Sequence, residues 1–571
     1  MATATTPAAA AERVYPLTAP PTPKHEKLGG YDFYRSIGSP KNVLAPMVEQ
    51  SELPWRLLSK APLPPDLAGP IETITTPQGK EIKRFVGGVH LSYTPMVHAK
   101  VFLKTKGVKD PVFNIQNGEE GCGDDLAGIE GGDRPLFVQV SLNLRLGLMQ
   151  FCANDPDVLL AAAKKVEDRC DAVDINFGCP QGIARKGHYG SFLQDEWELI
   201  SRLISTLHEN LKVPVTAKFR IFPNVEKTVA YAKMIEAAGA QILTCHGRTR
   251  EMKGQATGLA DWDQIKAVKA AVKVPVFANG NILYGDDATR CMEYTGVDGV
   301  MSAEGNLSNP ALFMPPNHDL AYPNILLLAR RYLDISEQLK TPTSGNAMKS
   351  HMFRVLRPIL DQHDDLRDLL SRTGLTDGKV TEYRKALDVI EARMGADGSK
   401  LGMPATPIGE GGYRELPTWV AQPYIRKVPE SAKVPTDPAY AGSAAVSAVP
   451  SRAPSPVNVA PPAKPCIGQP CGGSAAARCP TGACVIHCRA IRAAEQGPMS
   501  VTEALDSALR GGLVGMGCEF HEAKFAARNK RKKEKNAMRQ NHKKWKRGVE
   551  REERRRSQSL EREAEPQAIE A

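Results

Sequence analysis

The feature that most constrains this chain is an eightfold alternation of short apolar runs with amphipathic stretches, beginning at Val43. The runs have the length and β-branched content of buried strands, and the stretches between them have helical spacing. Eight such units predict a closed (β/α)8 TIM barrel of the α/β class. A doubly wound open sheet is the alternative, but no Gly-x-Gly-x-x-Gly follows the first run. The runs are Val43–Ala45, Leu91–Tyr93, Leu136–Gln139, Ala172–Asn176, Val215–Phe219, Ile242–Cys245, Val276–Ala278 and Gly299–Ser302.

Polar or special residues follow these runs, where a barrel has its C-terminal rim. Catalytic side chains in such barrels come from this rim. Each residue has a structural explanation by itself: Gln139 can cap a strand, Lys218 can be solvated, and His246 can be a satisfied core histidine. Their regular recurrence favours function, because a scaffold alone makes no demand for polar groups on one rim. The rim positions are Pro46-Met47, Thr94-Pro95-Met96, Gln139, Asn176, Lys218 with Arg220, His246 with Arg248, Asn279-Gly280-Asn281 and Glu304-Gly305.

The most distinctive rim segment is Asp174-Ile-Asn-Phe-Gly-Cys-Pro-Gln181, in which a strand delivers one cysteine between glycine and proline. Gly178 and Pro180 indicate a sharp turn around Cys179. An inert buried thiol is the ordinary interpretation of a lone cysteine. The strand exit and the basic residues that follow, Arg185 and Lys186, favour a functional thiol instead.

The turns after the seventh and eighth runs, Asn279-Gly280-Asn281 and Ala303-Glu304-Gly305, have backbone N–H groups that can face an anion. Lys218 and His246 would add positive charge and hydrogen bonds beside a planar ring. This combination indicates a flat phosphorylated cofactor and fits flavin mononucleotide (FMN) best.

Together these segments resemble the motif series of the tRNA-dihydrouridine synthases, and most of all the eukaryotic branch that acts on positions 16 and 17 of the D-loop. The resemblance covers about Val43 to Arg426, and the order and spacing of the motifs agree. The motifs are Leu44-Ala-Pro-Met-Val48, Tyr93-Thr-Pro-Met96, Phe137-Val-Gln139, Asp174-Ile-Asn-Phe-Gly-Cys-Pro-Gln181, Val215-Thr-Ala-Lys-Phe-Arg220, Cys245-His-Gly-Arg-Thr249, Val276-Phe-Ala-Asn-Gly-Asn281 and Met301-Ser-Ala-Glu-Gly-Asn306.

The resemblance implies reduction of the C5–C6 bond of uridine in tRNA, with NADPH or NADH reducing FMN. It makes Cys179 the proton donor to C5, a role that suits a thiol with a pKa near ~8.5. The target uridine must leave its stack to react. The implied tRNA contacts are Asn176, Arg185, Lys186, Arg220 and Arg248. Ordinary surface charge is the alternative for Arg185, Lys186 and Arg220. The implied FMN-binding residues are Pro46, Met47, Val48, Gln139, Lys218, His246, Asn279, Gly280, Asn281, Glu304 and Gly305.

Two segments depart from the family pattern. The Pro-rich segment Ala61–Gly88 separates the first helix from Tyr93-Thr-Pro-Met96, which the family usually joins within a few residues, and the second segment follows Gln139. Gln139 usually runs straight into Phe151-Cys-Ala-Asn-Asp155, whereas here Val140–Gln150 intervenes. Valine codons begin with GT and one glutamine codon ends in AG, and removing the segment restores the motif. We therefore interpret it as translated intron sequence. A true insertion is the alternative, and it would place an apolar loop at the active rim.

Composition divides the rest of the chain. Helical spacing after Pro310 predicts a helical domain, which in the family contacts tRNA, with basic residues such as Arg330, Arg331, Lys349, Arg354 and Arg357 on its polar faces. The expected organisation is a disordered start (1–40), the barrel (41–318), the helical domain (319–428), an Ala/Pro/Ser-rich linker (429–464), a Cys/His-rich element (465–522) and a basic tail (523–571).

The Cys/His-rich element predicts structural zinc, because thiolates and imidazoles recur at short spacings around glycines. With no secretory signal, metal is favoured over disulfides. Free cysteines are the alternative. The candidate ligands are Cys466, Cys471, Cys479, Cys484, His487, Cys488, Cys518 and His521.

The net charge is +10, and much of the excess lies between Lys524 and Arg556, which favours a polyanionic partner such as tRNA. No apolar run approaches the ~20 residues of a membrane span. We expect a monomer in the cytoplasm or nucleus, with an organelle signal at the start left open. Two other functions compete: a small-molecule FMN oxidoreductase of the dihydroorotate or dihydropyrimidine dehydrogenase type, and a non-catalytic RNA-binding scaffold.

Overall fold

The computed structural model describes residues 14–99, 103, 129, 132–141, 155–254, 257–340, 342–376, 378–409, 412–425, 485–497 and 499–509, with single residues between 513 and 526. The chain forms two compact units, Met1–Thr436 and Asp437–Ala571. Of the predicted zinc ligands, Cys466, Cys471, Cys479, Cys484 and His521 lie outside the described residues, as do the linker and most of the basic tail.

The first unit contains a closed barrel of eight parallel strands. Each strand pairs with the next and the eighth pairs with the first, which confirms the predicted barrel. A short strand, Val97–His98, adds a third pairing to the third strand. The strands are β1 (Asn42–Leu44), β2 (Leu91–Tyr93), β3 (Leu136–Ser141), β4 (Ala172–Phe177), β5 (Val215–Arg220), β6 (Leu243–His246), β7 (Val276–Asn279) and β8 (Gly299–Ser302).

Large side chains fill the lower part of the barrel, and the N-terminal helix Gly30–Ser36 closes it. Phe33 and Tyr34 of this helix are buried in one cluster with Tyr93 and Phe137. The Phe33 and Phe137 rings stack with centroids 5.8 Å apart. The predicted disordered start is therefore wrong for this helix, because its two aromatic rings have an apolar partner surface inside the barrel.

Helices surround the barrel, and side-chain caps fix where several begin. Asp155, Asn224 and Asp261 each accept hydrogen bonds from backbone N–H groups of the first turn that follows. An antiparallel pair, Glu72–Thr75 and Glu81–Arg84, lies in the segment before β2. The helices are Leu53–Lys60, Pro156–Lys164, Gly182–Gly187, Trp197–Asn210, Val225–Ala237, Trp262–Ala271, Gly285–Thr295 and Glu304–Ser308, with 3-10 turns at Glu167–Arg169 and Gly190–Leu193.

A layer of helices follows the barrel and shares its core. Tyr332 and Leu333 belong to the same buried cluster as Trp55 of the barrel helix Leu53–Lys60. The strands Tyr322–Pro323 and Gly402–Met403 pair at the base of the layer. Its helices are Ile325–Gln338, Gly345–Val355, Arg357–Leu360, Asp364–Arg372 and Thr381–Met394, followed by a 3-10 turn at Gly395–Asp397.

The second unit contains two described helices, Val485–Gln496 and Val501–Leu509, which pack through Ala490, Ala493 and Ala504. Within the described residues, no helix is both long and apolar enough to cross a membrane.

Candidate active site

The C-terminal rim of the barrel surrounds a cavity of about 560 Å³. Its walls come from the segments that follow β4 to β8 and from a downstream turn at Gly412-Tyr413. This volume is typical of sites for cofactor-sized ligands. Eight of the sequence-predicted residues line it: Arg220, His246, Arg248, Asn279, Gly280, Asn281, Glu304 and Gly305.

The loop that carries Cys179 is held from both sides. Asn176 Oδ1 accepts the N–H groups of Gly178 (2.8 Å) and Cys179 (3.0 Å), which fixes the turn after β4. The backbone N–H and the hydroxyl of Ser191 donate to the Cys179 carbonyl, at 3.2 and 3.0 Å. Gly190 has φ +64°, and a Cβ there would lie 2.9 Å from Cys179 Cβ, so only glycine fits this approach.

Cys179 is only partly buried, and its surroundings favour the protonated thiol. Burial raises the pKa of Cys179, although a backbone N–H and the charges of Arg220 and Lys218 act in the opposite direction. The group at the rim is therefore an acid at neutral pH rather than a thiolate.

Lys218 of β5 and His246 of β6 bring a partly buried cation and a neutral imidazole to the rim. Burial, with Arg220 as a like charge nearby, lowers the pKa of Lys218 to about 8. Burial together with Lys218 lowers the pKa of His246 well below its ordinary value, so the ring is neutral at physiological pH. Among the described residues, Lys218 Nζ has no hydrogen-bond or ion-pair partner. Its charge is available to a ligand.

Arg220 links two loops of the rim. Its Nε donates to the Gly178 carbonyl (2.9 Å), and its Nη1 donates to the carbonyls of Thr249 (2.9 Å) and Met252 (3.2 Å). The Gln194 amide in turn donates to the Arg220 carbonyl at 2.7 Å. Two guanidinium nitrogens thus hold the loops after β4 and β6 together, in addition to the predicted role of Arg220 toward tRNA.

Arg248 and Asn281 organise the turn after β7. Arg248 Nη2 donates to Asn281 Oδ1 (2.8 Å), and its Nη1 lies 3.2 Å from His246 Nε2. Asn281 has φ +62° and also accepts the Ala260 N–H at 3.0 Å. The guanidinium is therefore held against the turn at the wall of the cavity, and the tRNA contact of Arg248 stays a prediction.

The two glycines of the predicted phosphate turns have no room for a side chain. A Cβ at Gly280 would lie 2.6 Å from Ala260 Cβ, and the residue has φ +118°. A Cβ at Gly305 would lie 2.3 Å from the Ile282 carbonyl oxygen. Backbone at these positions can approach a ligand closely, as a phosphate cradle requires.

The remaining predicted residues do not line this cavity. Pro46, Met47 and Val48 follow β1, where Val48 is 56% exposed and Met47 packs on the core. Arg185 is exposed on the helix Gly182–Gly187, which also carries Lys186. Gln139 lies in β3 opposite Asp174, and only its backbone is described.

Several residues that line or border the cavity do not belong to the motifs of the predicted site. Lys253 donates to the Pro180 carbonyl at 2.8 Å and so borders the cysteine loop; the basic run after His246 was the available signal. Tyr413, 46% exposed, reaches the cavity because the neighbouring Arg414 N–H donates to the Tyr284 hydroxyl at 3.1 Å. No local pattern predicts that contact, since more than a hundred residues separate the two partners.

Fold and site together define a TIM-barrel enzyme whose catalytic rim carries a protonated thiol, buried cations and two glycine turns. Residues 43–388 match the family Dihydrouridine synthase (Dus). The chain therefore belongs to the dihydrouridine synthase family. This confirms the resemblance and the class of activity that the motifs predict.

Curated relatives agree over most of their length. The chain is 44% identical over 422 residues to the tRNA-dihydrouridine(16/17) synthase of Saccharomyces cerevisiae, which covers 71% of this chain and 88% of the yeast protein. It is 41% identical to the protein of the same name from Schizosaccharomyces pombe, covering 70% of this chain and 92% of that one. A similarly named mouse protein is 43% identical, with coverage of 71% and 72%.

Proposed function

We propose that this chain reduces the C5–C6 double bond of uridines 16 and 17 in the tRNA D-loop, with FMN as cofactor and NADPH or NADH as reductant. The names of the yeast and mouse relatives support the substrate position and the use of NAD(P). The observation that carries the chemistry is the Cys179 loop at the exit of β4, which Asn176 and Ser191 hold in place. Burial raises the pKa of its thiol, and the charges of Arg220 and Lys218 act on it from nearby.

The cavity fits FMN on three observations. Its volume suits a cofactor of that size, and the two glycine turns leave no space for a Cβ. Lys218, two residues before the cavity residue Arg220, has no hydrogen-bond or ion-pair partner among the described residues. Asn279–Asn281 and Glu304-Gly305 would hold the phosphate, and Lys218 and His246 would contact the ring. Pro46, Met47, Val48 and Gln139 belong to the neighbouring rim segments and complete the proposed set. When bound, FMN supplies the hydride that is added to C6.

Cys179 would complete the reduction by transferring its proton to C5. The S–H bond breaks as the C5–H bond forms, and the sulfur keeps the electron pair as a thiolate. Lys218, Arg220 and Lys253 favour that thiolate electrostatically, which lowers the energy of the step. The thiol then regains a proton from solvent.

The direct test is to incubate the full chain with FMN, NADPH and unmodified tRNA, and to measure dihydrouridine by mass spectrometry. Cys179→Ala should slow product formation by about 10²–10⁴-fold, the usual contribution of a positioned acid. Cys291→Ala removes a buried thiol that does not line the cavity and is the matched control. A flavin-loaded wild type that forms no dihydrouridine would point to a small-molecule substrate. Equal activity in Cys179→Ala would refute the assigned proton donor.

We propose that the helical layer binds tRNA through the surface around Arg354 and Arg357, and not through its other basic faces. Many of its arginines are neutralised: Arg330 pairs with Asp388 (2.8 Å) and Glu391 (2.7 Å), and Arg393 pairs with Asp365 (2.7 Å). The faces that carry Arg330 and Arg393 are therefore better explained as ordinary solvated charge than as RNA contacts.

Arg354 and Arg357 differ from those arginines. Burial and the like charge of Arg357 lower the pKa of Arg354, with Glu304 on the barrel rim as the opposing charge. Within the described residues, the guanidinium groups of Arg354 and Arg357 have no hydrogen-bond or ion-pair partner. Arg357 lies over the Tyr424 ring, 4.0 Å from its centroid, and that ring is 51% exposed. Unpaired guanidinium groups beside an exposed aromatic ring suit a phosphodiester backbone and an unstacked base.

The Arg354→Ala/Arg357→Ala double variant tests this surface, with Arg330→Ala as the ion-paired control. The double variant should bind tRNA about tenfold more weakly and lower the slope of log K against log salt by roughly 2, while FMN binding stays unchanged. Equal loss in the control would refute the assignment of this surface.

We also propose structural zinc and nucleic-acid affinity for the second unit. Cys488 and Cys518 are both buried, and the Cys518 N–H donates to Cys488 Sγ at 3.4 Å, which brings two predicted ligands together next to His487. The described residues alone contain no group of three that could hold a metal ion. Metal analysis of the purified full chain tests the proposal, and a metal-free folded protein would refute it. The tail patch Lys530-Arg-Lys-Lys533 is proposed as a nuclear-import signal.

A further inference from the structure

A buried polar cluster joins the barrel to the helical layer. Glu52, just before the helix Leu53–Lys60, accepts a hydrogen bond from the Tyr332 hydroxyl at 2.7 Å, and its other oxygen lies 2.9 Å from His351 Nε2. The Trp55 indole lies flat on the His351 ring, with centroids 4.0 Å apart and an interplanar angle of 5°. All four side chains are buried. Burial acts to raise the pKa of Glu52, but His351 and Tyr332 outweigh it and hold that pKa below its ordinary value.

The cluster reaches the wall of the active-site cavity through Trp55. Trp55 Nε1 donates to Asn306 Oδ1 at 2.9 Å, and the Ser59 hydroxyl donates to the same oxygen at 3.0 Å. Asn306 follows Gly305, which lines the cavity, and its N–H donates to the Ser302 hydroxyl at 3.2 Å. The position of the Asn306 carboxamide is therefore set by the helix Leu53–Lys60.

We infer that Glu52 and His351 are positioning residues for the cavity: they hold Trp55, and Trp55 through Asn306 holds the turn Glu304-Gly305. Glu52, His351 and Trp55 do not line the cavity themselves. Because His351 belongs to the helical layer, the placement of that layer and the shape of the turn are coupled. The inference rests on the proposed function only in naming FMN as the molecule that the turn receives.

The physical basis is that one acceptor receives two donors from the same neighbouring helix. Once the Trp55 ring can tilt, its N–H leaves the Asn306 oxygen, and the five-residue helix Glu304–Ser308 loses a side-chain anchor. Short helices depend on such tertiary contacts because their own hydrogen bonds are few. A cluster that only stabilised the fold would instead protect all barrel strands alike.

Hydrogen exchange of the full-length protein without FMN distinguishes local positioning of Glu304–Ser308 from general stabilisation of the barrel. Trp55→Phe keeps an aromatic face toward His351 and removes the N–H donor. The Glu52→Gln/His351→Gln double variant removes the ring stack and the buried charge while leaving amides that can bond each other. Ser350→Ala is the matched control, since Ser350 accepts a hydrogen bond from the Gln50 amide (2.8 Å) across the same boundary without touching Trp55.

In Trp55→Phe and in the double variant, amides of Glu304–Ser308 should exchange about 3- to 10-fold faster relative to β5, the effect of losing one buried hydrogen bond. The dissociation constant for FMN, measured by flavin fluorescence, should rise by a similar factor. Ser350→Ala should change neither value. Uniform acceleration across the barrel, or no acceleration at Glu304–Ser308, would overturn the inference. A wild type that binds no FMN would defeat the proposed function, while the exchange data would still decide the positioning role.

Discussion

Replacing Lys218 by methionine separates two effects of its charge: the loss of folding stability and the gain in FMN affinity. Burial lowers the pKa of Lys218 from 10.5 to about 8. Each tenfold change in an ionisation equilibrium is worth about 1.4 kcal/mol, so keeping the ammonium charged at neutral pH costs up to roughly 3 kcal/mol. Methionine has a similar length and no charge. We therefore expect the FMN-free Lys218→Met variant to be more stable than wild type by about 1–3 kcal/mol, and to bind FMN at least about tenfold more weakly.

The pH dependence of this stability difference has a definite sign. The unfolded chain keeps the Lys218 proton up to about pH 10.5, whereas the folded protein releases it near pH 8. Between these values the unfolded state binds more protons, so the wild type gains stability as pH rises. Lys218→Met lacks this gain. The advantage of the variant should be full below pH 8 and should shrink toward pH 10.5.

Urea unfolding of both FMN-free proteins, at pH values below, between and above these two pKa values, measures the difference. Lys212→Met is the matched control, because Lys212 is 60% exposed and its ion pair with Asp168 at 3.6 Å is weak. A Lys218→Met variant that is less stable than wild type at neutral pH would refute the reasoning. A stability difference that does not change with pH would also refute it, because it would mean that a partner offsets the desolvation of the partly buried ammonium.

Three further changes have sharp expectations. Gly305→Ala should abolish FMN binding, because its Cβ would lie 2.3 Å from the Ile282 carbonyl oxygen, whereas Gly374→Ala, with open space around it, should bind normally in the same fluorescence titration. Phe33→Ala should lower the free energy of unfolding by about 3–5 kcal/mol in urea titrations, and a smaller loss would mean that the N-terminal helix does not close the barrel. FMN affinity should show no ionisation of His246 near pH 6.5, because its pKa lies far lower; an inflection there that disappears in His246→Gln would contradict the neutral assignment.

The barrel was predictable because buried parallel strands occur in the sequence as continuous apolar runs, and the chain of a closed barrel repeats such runs at regular intervals. Ala172–Phe177 and Val215–Arg220 both lie within about one residue of the predicted runs. The rim residues followed from the same regularity, since the end of each strand determines which side chain reaches the cavity. The positions where the strands end therefore predict both the fold and the residues of the site.

Contacts made by distant segments could not be predicted in this way. Tyr413 reaches the cavity through an anchor on Tyr284, and Phe33 closes the barrel from a start whose composition resembles disorder. The sequence predicted Arg220 as a tRNA contact, with ordinary surface charge as the alternative, and did not predict that it donates to three backbone carbonyls. These roles depend on which groups become neighbours in three dimensions, and neither spacing nor composition encodes that.

The segment Val140–Gln150 can be tested by deletion, and the structure supplies the geometric reason. β3 ends at Ser141 and the next helix begins at Pro156, so the connection is far longer than the roughly 2–6 residues usual between a strand and a helix in such units. Joining Gln139 to Phe151 would put Phe151 and Cys152 into the β3 positions that now hold Val140 and Ser141. Only three residues would then separate β3 from the helix that begins at Pro156, and Asp155 would still cap that helix.

We therefore expect the deletion variant to fold, to unfold at a higher urea concentration, and to bind FMN at least as tightly as the full chain. Lower stability together with lost FMN binding would show that the segment is an integral part of the rim. In protein purified from its natural source, a tryptic peptide that crosses directly from Gln139 to Phe151 would confirm that the segment is intron sequence. A peptide ending at Arg145 would prove that it is translated and retained, and the apolar loop after β3 would then be a real part of the active rim.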